Sequence, residues 1–114
     1  VKLENLESLM LRQNKIECLP EGVPGQAMKS LTLFHISSNQ LKVLPGSLPD
    51  CSSLEKIYAN GNEIVRIPVG IGEKLTNLRT LNLSSNKLES LPEDFLDRFG
   101  EPNVENGICE KDDF

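Results

Sequence analysis

Hydrophobic and polar positions follow a pattern that repeats four times along most of the chain. Each copy has the form Leu-x-x-Leu-x-Leu-x-x-Asn-x-Leu-x-x-Leu-Pro, with Ile, Phe or Ala at some of the leucine positions. The copies occupy residues 6–20, 31–45, 54–68 and 78–92, and their asparagines lie 25, 23 and 24 residues apart. Because each copy fixes seven positions, chance does not explain four of them. The spacing predicts a repeat architecture.

The aliphatic positions of each copy predict one short β-strand. The second and third leucines are two residues apart, so a strand buries both on one face and exposes their neighbours on the other. We predict four parallel strands, at Ser8–Leu11, Leu33–Ile36, Lys56–Ala59 and Thr80–Leu83. No single copy can bury its own aliphatic row, whereas stacked copies share one core. The predicted fold is an α/β solenoid with a short, curved parallel sheet.

The segments that return from one strand to the next contain Pro and Gly, which predicts an irregular or briefly helical convex side. A further core position precedes each opening leucine by three residues and holds Leu3, Met28, Cys51 and Leu75. The recurrent asparagines follow the strands at Asn14, Asn39, Asn62 and Asn86. An amide at this place can satisfy backbone groups of its own turn and of the next repeat. We interpret the four asparagines as a structural ladder.

These repeats resemble the leucine-rich-repeat family, of the Leu-Pro type with repeats of 23–25 residues, over about residues 3–99. Within that family the chain is similar to intracellular Ras-suppressor-like and Scribble-like scaffold proteins. The resemblance implies a protein–protein interaction module that is part of a larger protein. It also implies a cytoplasmic location and a protein partner bound on the concave face.

Alignment of the repeats places the variable strand positions in four columns across the concave face. The central column is Met10, His35, Tyr58 and Asn82. The column on one side of it is Ser8, Leu33, Lys56 and Thr80, and the column on the other side is Arg12, Ser37, Asn60 and Ser84. The fourth column, Gln13, Ser38, Gly61 and Ser85, lines the rim. We interpret the Ser-rich columns as solvated surface.

Apolar and aromatic side chains on this face predict the binding site. The only Tyr and the only His of the chain stand beside an apolar pair, a composition expected of an interface hot spot, and two cations can meet carboxylates. The candidate partner-binding residues are Met10, Arg12, Leu33, His35, Lys56, Tyr58 and Asn82. We expect the His35 imidazole to be exposed, with a pKa near about 6.5.

The two ends of the array differ from its middle. Leu3–Leu11 is full repeat sequence without a polar cap, so we expect a bare first strand that can self-associate and a natural chain that continues upstream. Phe95 and Phe99, behind an acidic first turn, predict a short helix packed on the last repeat. We assign residues 1–100 to the solenoid. Residues 101–114 are a partial cap or a disordered acidic tail, with disorder favoured for Cys109–Phe114.

Charge and composition narrow the partner classes. The chain has 114 residues and a net charge of −5. Eight acidic and two basic residues give residues 93–114 a net charge of −6, which leaves +1 for residues 1–92. Nucleic acid is excluded as an expected partner, because its binding needs clustered Lys and Arg. No apolar stretch reaches the length of a membrane helix, so we expect no membrane partner.

Candidate chemistry is sparse. The three cysteines, Cys18, Cys51 and Cys109, form no CxxC pair, which favours a reducing compartment, although one pair could still form a disulfide. His35 has no metal-ligand partner at a suitable spacing, and no phosphate loop or nucleophile elbow occurs. Asn82-Leu83-Ser84 matches the short N-glycosylation sequon, which is weak evidence for secretion. We expect no cofactor, no metal, no catalytic residues and no enzymatic activity.

Two further functions remain open. The chain could be the substrate-recognition domain of a leucine-rich-repeat ubiquitin ligase, such as those of bacterial pathogens, or of another multidomain enzyme. A secreted or receptor ectodomain fragment is the third alternative. The scaffold module and the substrate-recognition domain use the same concave surface, and they differ in the domains that flank it.

Overall fold

The computed structural model describes residues 3–99 and 108–110. Four strands, β1 (Ser8–Met10), β2 (Leu33–His35), β3 (Lys56–Tyr58) and β4 (Thr80–Asn82), form a parallel sheet in sequence order. The predicted α/β solenoid is confirmed, and each strand ends one residue earlier than predicted. The parallel arrangement follows from the repeat, because every copy leaves its strand in the same direction and returns by the same route.

The return segments hold only short helices, as the sequence predicted. Two 3₁₀ helices cover Leu3–Asn5 and Leu48–Asp50, and two α-helices cover Ile71–Lys74 (α1) and Glu93–Phe99 (α2). Among the helices of residues 3–99, none is long and apolar enough to cross a membrane.

The core lies between the sheet and the return segments. The aliphatic residues of the second, third and fourth repeats supply most of it, and Met28, Cys51 and Leu75 fill the predicted return-half position. In the first repeat the equivalent side chains are only partly buried: Leu6, Leu9, Leu11, Ile16 and Leu19. The solenoid therefore presents a partly apolar end face beside β1.

The asparagine side chains connect adjacent turns. The amide of Asn39 donates to the carbonyls of Ile36 and Ser37 in its own turn, at 3.0 and 3.1 Å, and to that of Leu11 in the preceding repeat, at 2.9 Å. Its side-chain oxygen accepts hydrogen bonds from the backbone N–H groups of Asn14 and Ile16 in the preceding repeat, both at 3.1 Å. The predicted contact with the next repeat is wrong, because the Asn39 side chain lies between its own turn and the one before it.

The residue before each ladder asparagine has a left-handed backbone. Gln13, Ser38 and Ser85 have φ of 57°, 58° and 56°, and Gly61 has φ of 71° at the same position. From the repeat pattern, this column was predicted only to line the rim. Gly61 is the sequence signal for this left-handed backbone, since Gly is the residue that adopts positive φ without steric cost.

Helix α2 holds α1 at both ends. The Asp94 carboxylate accepts hydrogen bonds from the backbone N–H groups of Gly70, Gly72 and Glu73, at 3.0, 3.0 and 3.2 Å. Four residues later, the Arg98 guanidinium donates to the carbonyl of Leu75 at the C-terminal end of α1 and, beyond the helix, to that of Leu78 at 2.9 Å. A carboxylate at a helix N-terminus and a cation at its C-terminus both stabilise unpaired backbone groups.

The aromatic residues of α2 close the core. Phe95 and Phe99 are buried, and their ring centroids are 5.0 Å apart. The predicted short helix that packs both rings on the last repeat is confirmed.

A fifth strand, β5 (Ile108–Glu110), pairs antiparallel with β4, so that Thr80 faces Glu110 in register. The predicted disorder of Cys109–Phe114 is wrong for Cys109 and Glu110, which belong to β5. Only four strands were predicted, because the leucine signature ends at the fourth repeat. Pairing with a sheet edge requires backbone hydrogen bonds and no repeat signature, so the pattern could not reveal it. The remainder of residues 101–114 lies outside the described residues.

Candidate protein-interaction face

The strand register brings the predicted concave columns together. Met10 faces His35, His35 faces Tyr58, and Tyr58 faces Asn82 across the three parallel pairs. Leu33 likewise faces Lys56 in the adjoining column. Neighbouring strands are about 4.8 Å apart, so side chains in one column are direct neighbours.

An aromatic pair lies at the centre of the face. The rings of His35 and Tyr58 have centroids 5.1 Å apart and are inclined at 37°. The Ser37 hydroxyl lies 3.1 Å from Nδ1 of His35, within hydrogen-bond distance. The prediction of solvated surface at Ser37 is wrong, because this residue is only 6% exposed. Contacts on two sides thus position the imidazole.

The apolar and cationic candidates surround this pair. Met10 is 52% exposed, and Leu33 is half-buried. Arg12 and Lys56 are exposed. The aromatic rings themselves are half-buried, so they offer fixed surfaces with little conformational entropy to lose on binding. We call Met10, Leu33, His35 and Tyr58, taken together, the concave patch.

Asn82 is held by its own turn at the other end of the central column. Its side-chain oxygen accepts from the backbone N–H of Ser84 at 3.0 Å and from the Ser84 hydroxyl at 2.8 Å. The sequon residues thus hydrogen-bond to each other, and the Asn82 side chain is half-buried on the sheet. This side chain is a rigid polar boundary of the concave patch.

The surroundings of His35 lower its pKa from the usual value of 6.5. Burial is the larger cause, and the positive charge of Arg12 is the second. The expectation of a freely exposed imidazole near 6.5 was therefore wrong. The folded chain binds this proton more weakly than the unfolded chain does, so stability falls as the pH drops below about 6.5 and towards the lowered pKa.

We expect an NMR pH titration of the His35 ring to give a pKa below 6.5 in the wild type. Arg12→Ala should raise this pKa only part of the way, because burial, the larger cause, remains. Lys42→Ala, which removes an exposed cation outside the four columns, should leave it unchanged. A wild-type value at or above 6.5, or no response to Arg12→Ala, would contradict this description of the site.

The cysteine side chains that the structure describes lie away from this face. Cys51 is buried, and its thiol donates to the carbonyl of Gly25 at 3.1 Å. Burial, assisted by Asp50, raises the pKa of Cys51 to about 11, which keeps the thiol protonated at neutral pH. Cys18 is exposed, and both thiols are free. Within the described part of the chain, no three His, Cys, Asp or Glu side chains form a group able to hold a metal ion.

Comparison with known proteins identifies the repeats. A leucine-rich-repeat family model matches residues 4–64, and a second model, for two copies of the repeat, matches residues 52–97. The chain belongs to the leucine-rich-repeat family. The leucine-rich-repeat models together cover the array from the first strand to α2.

Similar proteins carry the leucine-rich repeat within much longer chains. A leucine-rich repeat-containing G-protein coupled receptor 5 from Rattus norvegicus is 45% identical over 83 residues, which are 73% of this chain and 9% of the receptor. Lumican from the same species is 32% identical over 98 residues, 84% of this chain and 27% of lumican. A solved leucine-rich-repeat protein of Leptospira interrogans has a TM-score of 0.76 and 32% identity, over 89% of this chain and 25% of that one. The chain thus spans about a quarter or less of each of these proteins.

Proposed function

We propose that the chain is a protein-interaction module that binds a partner on its concave face. The observation that carries the proposal is the fixed His35–Tyr58 pair, with ring centroids 5.1 Å apart, at the centre of the concave face. Met10, 52% exposed, extends the apolar surface towards β1. Rigid aromatic side chains at the centre of a surface are typical anchors of protein interfaces. The leucine-rich-repeat relatives support the same class of function.

We expect the double substitution His35→Ala and Tyr58→Ala to weaken partner binding by about 2 kcal/mol or more, because anchors of this kind dominate interface energies. The fold should survive, since neither side chain belongs to the buried core. The measurement is calorimetric titration against a partner recovered by pull-down, with circular dichroism as the folding check. Val43→Ala trims an exposed apolar side chain outside the concave patch and serves as the matched control.

Unchanged affinity in the folded double variant would rule out the concave patch as the binding site. Equal losses in the double variant and in Val43→Ala would show that binding follows exposed apolar area in general.

The proposal assigns binding rather than catalysis to these residues. The His35 imidazole contacts Tyr58 and Ser37, and the Cys51 thiol contacts a backbone carbonyl in the return half. We extend the proposal to a cytoplasmic scaffold of the Leu-Pro repeat type, similar to Ras-suppressor-like and Scribble-like proteins. The free thiols of Cys18 and Cys51 are consistent with a reducing compartment.

The end face beside β1 is a second surface for association. Leu6, Leu9 and Leu11 are only partly buried there, and within the described residues β1 pairs with β2 alone. Unpaired strand edges with apolar surface favour association. We expect sedimentation velocity to show a dimer that increases with protein concentration. A monomer at every concentration would contradict self-association through this edge.

A further inference from the structure

The four concave columns carry cations without carboxylates, in a chain whose net charge is −5. The sixteen positions of the four columns include two cations, Arg12 and Lys56, and no Asp or Glu. Carboxylates at Glu7 and Glu55 lie one residue before the strands, at the margin of the face. Screening limits exposed charges to a range of about 8 to 10 Å at physiological salt, so a ligand on the columns is affected by Arg12 and Lys56 and, at the margin, by Glu7 and Glu55.

The two cations stand on opposite sides of the concave patch. Lys56 is on β3, in the column on one side of the central column. Arg12 is just beyond β1, in the column on the other side. Two strand spacings and four residues along a strand put their backbones about 16 Å apart, with His35 between them. An extended peptide covers this distance in about five residues.

The geometry points to an acidic peptide segment of another protein as the occupant of the concave face, and this inference rests on the proposed function. Two carboxylates about four to six residues apart pair with Arg12 and Lys56. An apolar side chain between them packs on the rings of His35 and Tyr58. The cations select the charge of the segment, and the concave patch supplies the apolar anchor site.

The net charge of the chain makes the selection a stringent test. Non-specific attraction to a protein of net charge −5 enriches basic peptides. Enrichment of acidic peptides therefore requires a local positive surface. We would select a phage-displayed library of random peptides on the immobilised full chain and synthesise the most enriched sequence as the probe. The expected probe has one Asp or Glu residue on each side of an aromatic or large aliphatic residue.

Variants then locate the binding site of the probe. The double charge reversal Arg12→Glu and Lys56→Glu should weaken binding about ten-fold or more, because two attractions become repulsions. Lys42→Glu, a reversal at an exposed site outside the columns, should change affinity by less than about two-fold. Tyr58→Ala should weaken binding irrespective of the charge of the probe. Circular dichroism checks that each variant is folded.

The outcomes separate the two proposals. Acidic probes that lose affinity on charge reversal and on Tyr58→Ala support both. Neutral or basic probes that are sensitive to Tyr58→Ala overturn the acidic specificity and leave the concave interaction face in place. A selection that enriches nothing, or that enriches probes insensitive to Tyr58→Ala, overturns both.

Discussion

Replacing Gly72 with Ala is expected to lower the free energy of unfolding by about 3 kcal/mol, the upper part of the range for overpacked sites. A Cβ atom at Gly72 would lie 2.1 Å from the backbone oxygen of Asp94 and 2.6 Å from its carbonyl carbon. Backbone atoms cannot turn aside as a flexible side chain can. Helices α1 and α2 would have to separate, and the Asp94 hydrogen bonds to α1 would lengthen or break.

Gly46→Ala is the matched control for this prediction. A Cβ atom at Gly46 meets nothing within 4 Å, so the change should leave stability within about 0.5 kcal/mol of the wild type. Urea unfolding followed by circular dichroism measures both variants. Equal midpoints for Gly72→Ala and Gly46→Ala would show that α1 and α2 are not in close contact in solution.

Asn62→Ala is the second large change, with an expected loss of about 2 kcal/mol. The Asn62 side-chain oxygen accepts the buried N–H of Leu41 at 3.0 Å, and Ala leaves this donor without its partner. The carbonyls of Ile36 and Ala59 lose one donor each and keep another from a neighbouring asparagine. The orphaned amide of Leu41 is therefore the main cost.

Asn60→Ala tests the same repeat two residues earlier. Its backbone carbonyl, which accepts from Ser38, is retained, and its half-buried side chain faces the concave side. We expect a change within about 0.5 kcal/mol. Comparable losses in the urea midpoints of Asn60→Ala and Asn62→Ala would contradict the assignment of Asn62, rather than Asn60, as the buried asparagine of this turn.

The sequence predicted the solenoid because its information is local and repeated. Alternating leucines specify which strand face is buried, and the constant spacing specifies a parallel stack. The hydrogen bonds of Asp94 and Arg98 that connect α2 to α1 occur in one repeat and join residues more than 20 positions apart, such as Asp94 and Gly70. No periodic pattern encodes such a contact. Each strand was also predicted one residue too long, since the residue at the third leucine position lies beyond the strand and, in repeats two to four, is still buried.

The concave columns could be aligned from the repeat, whereas the environment of each side chain could not. His35 was correctly placed beside Tyr58, yet its hydrogen bond to Ser37 and its lowered pKa depend on side-chain packing. Ser37 occupies an outward column and is still buried. Curvature and neighbouring side chains decide burial on this face, and alternation alone does not report them.

Amide chemical-shift mapping of the ¹⁵N-labelled chain against its recovered protein partner tests the central claim most directly. If the concave face is the interaction surface, the largest shifts fall on β1, β2 and β3, at Met10, Leu33, His35 and Tyr58. Smaller shifts reach β4, and α1 and α2 stay unchanged. The largest shifts in α1, α2 and the return segments, with the strands unaffected, would contradict the claim and place the partner on the convex side.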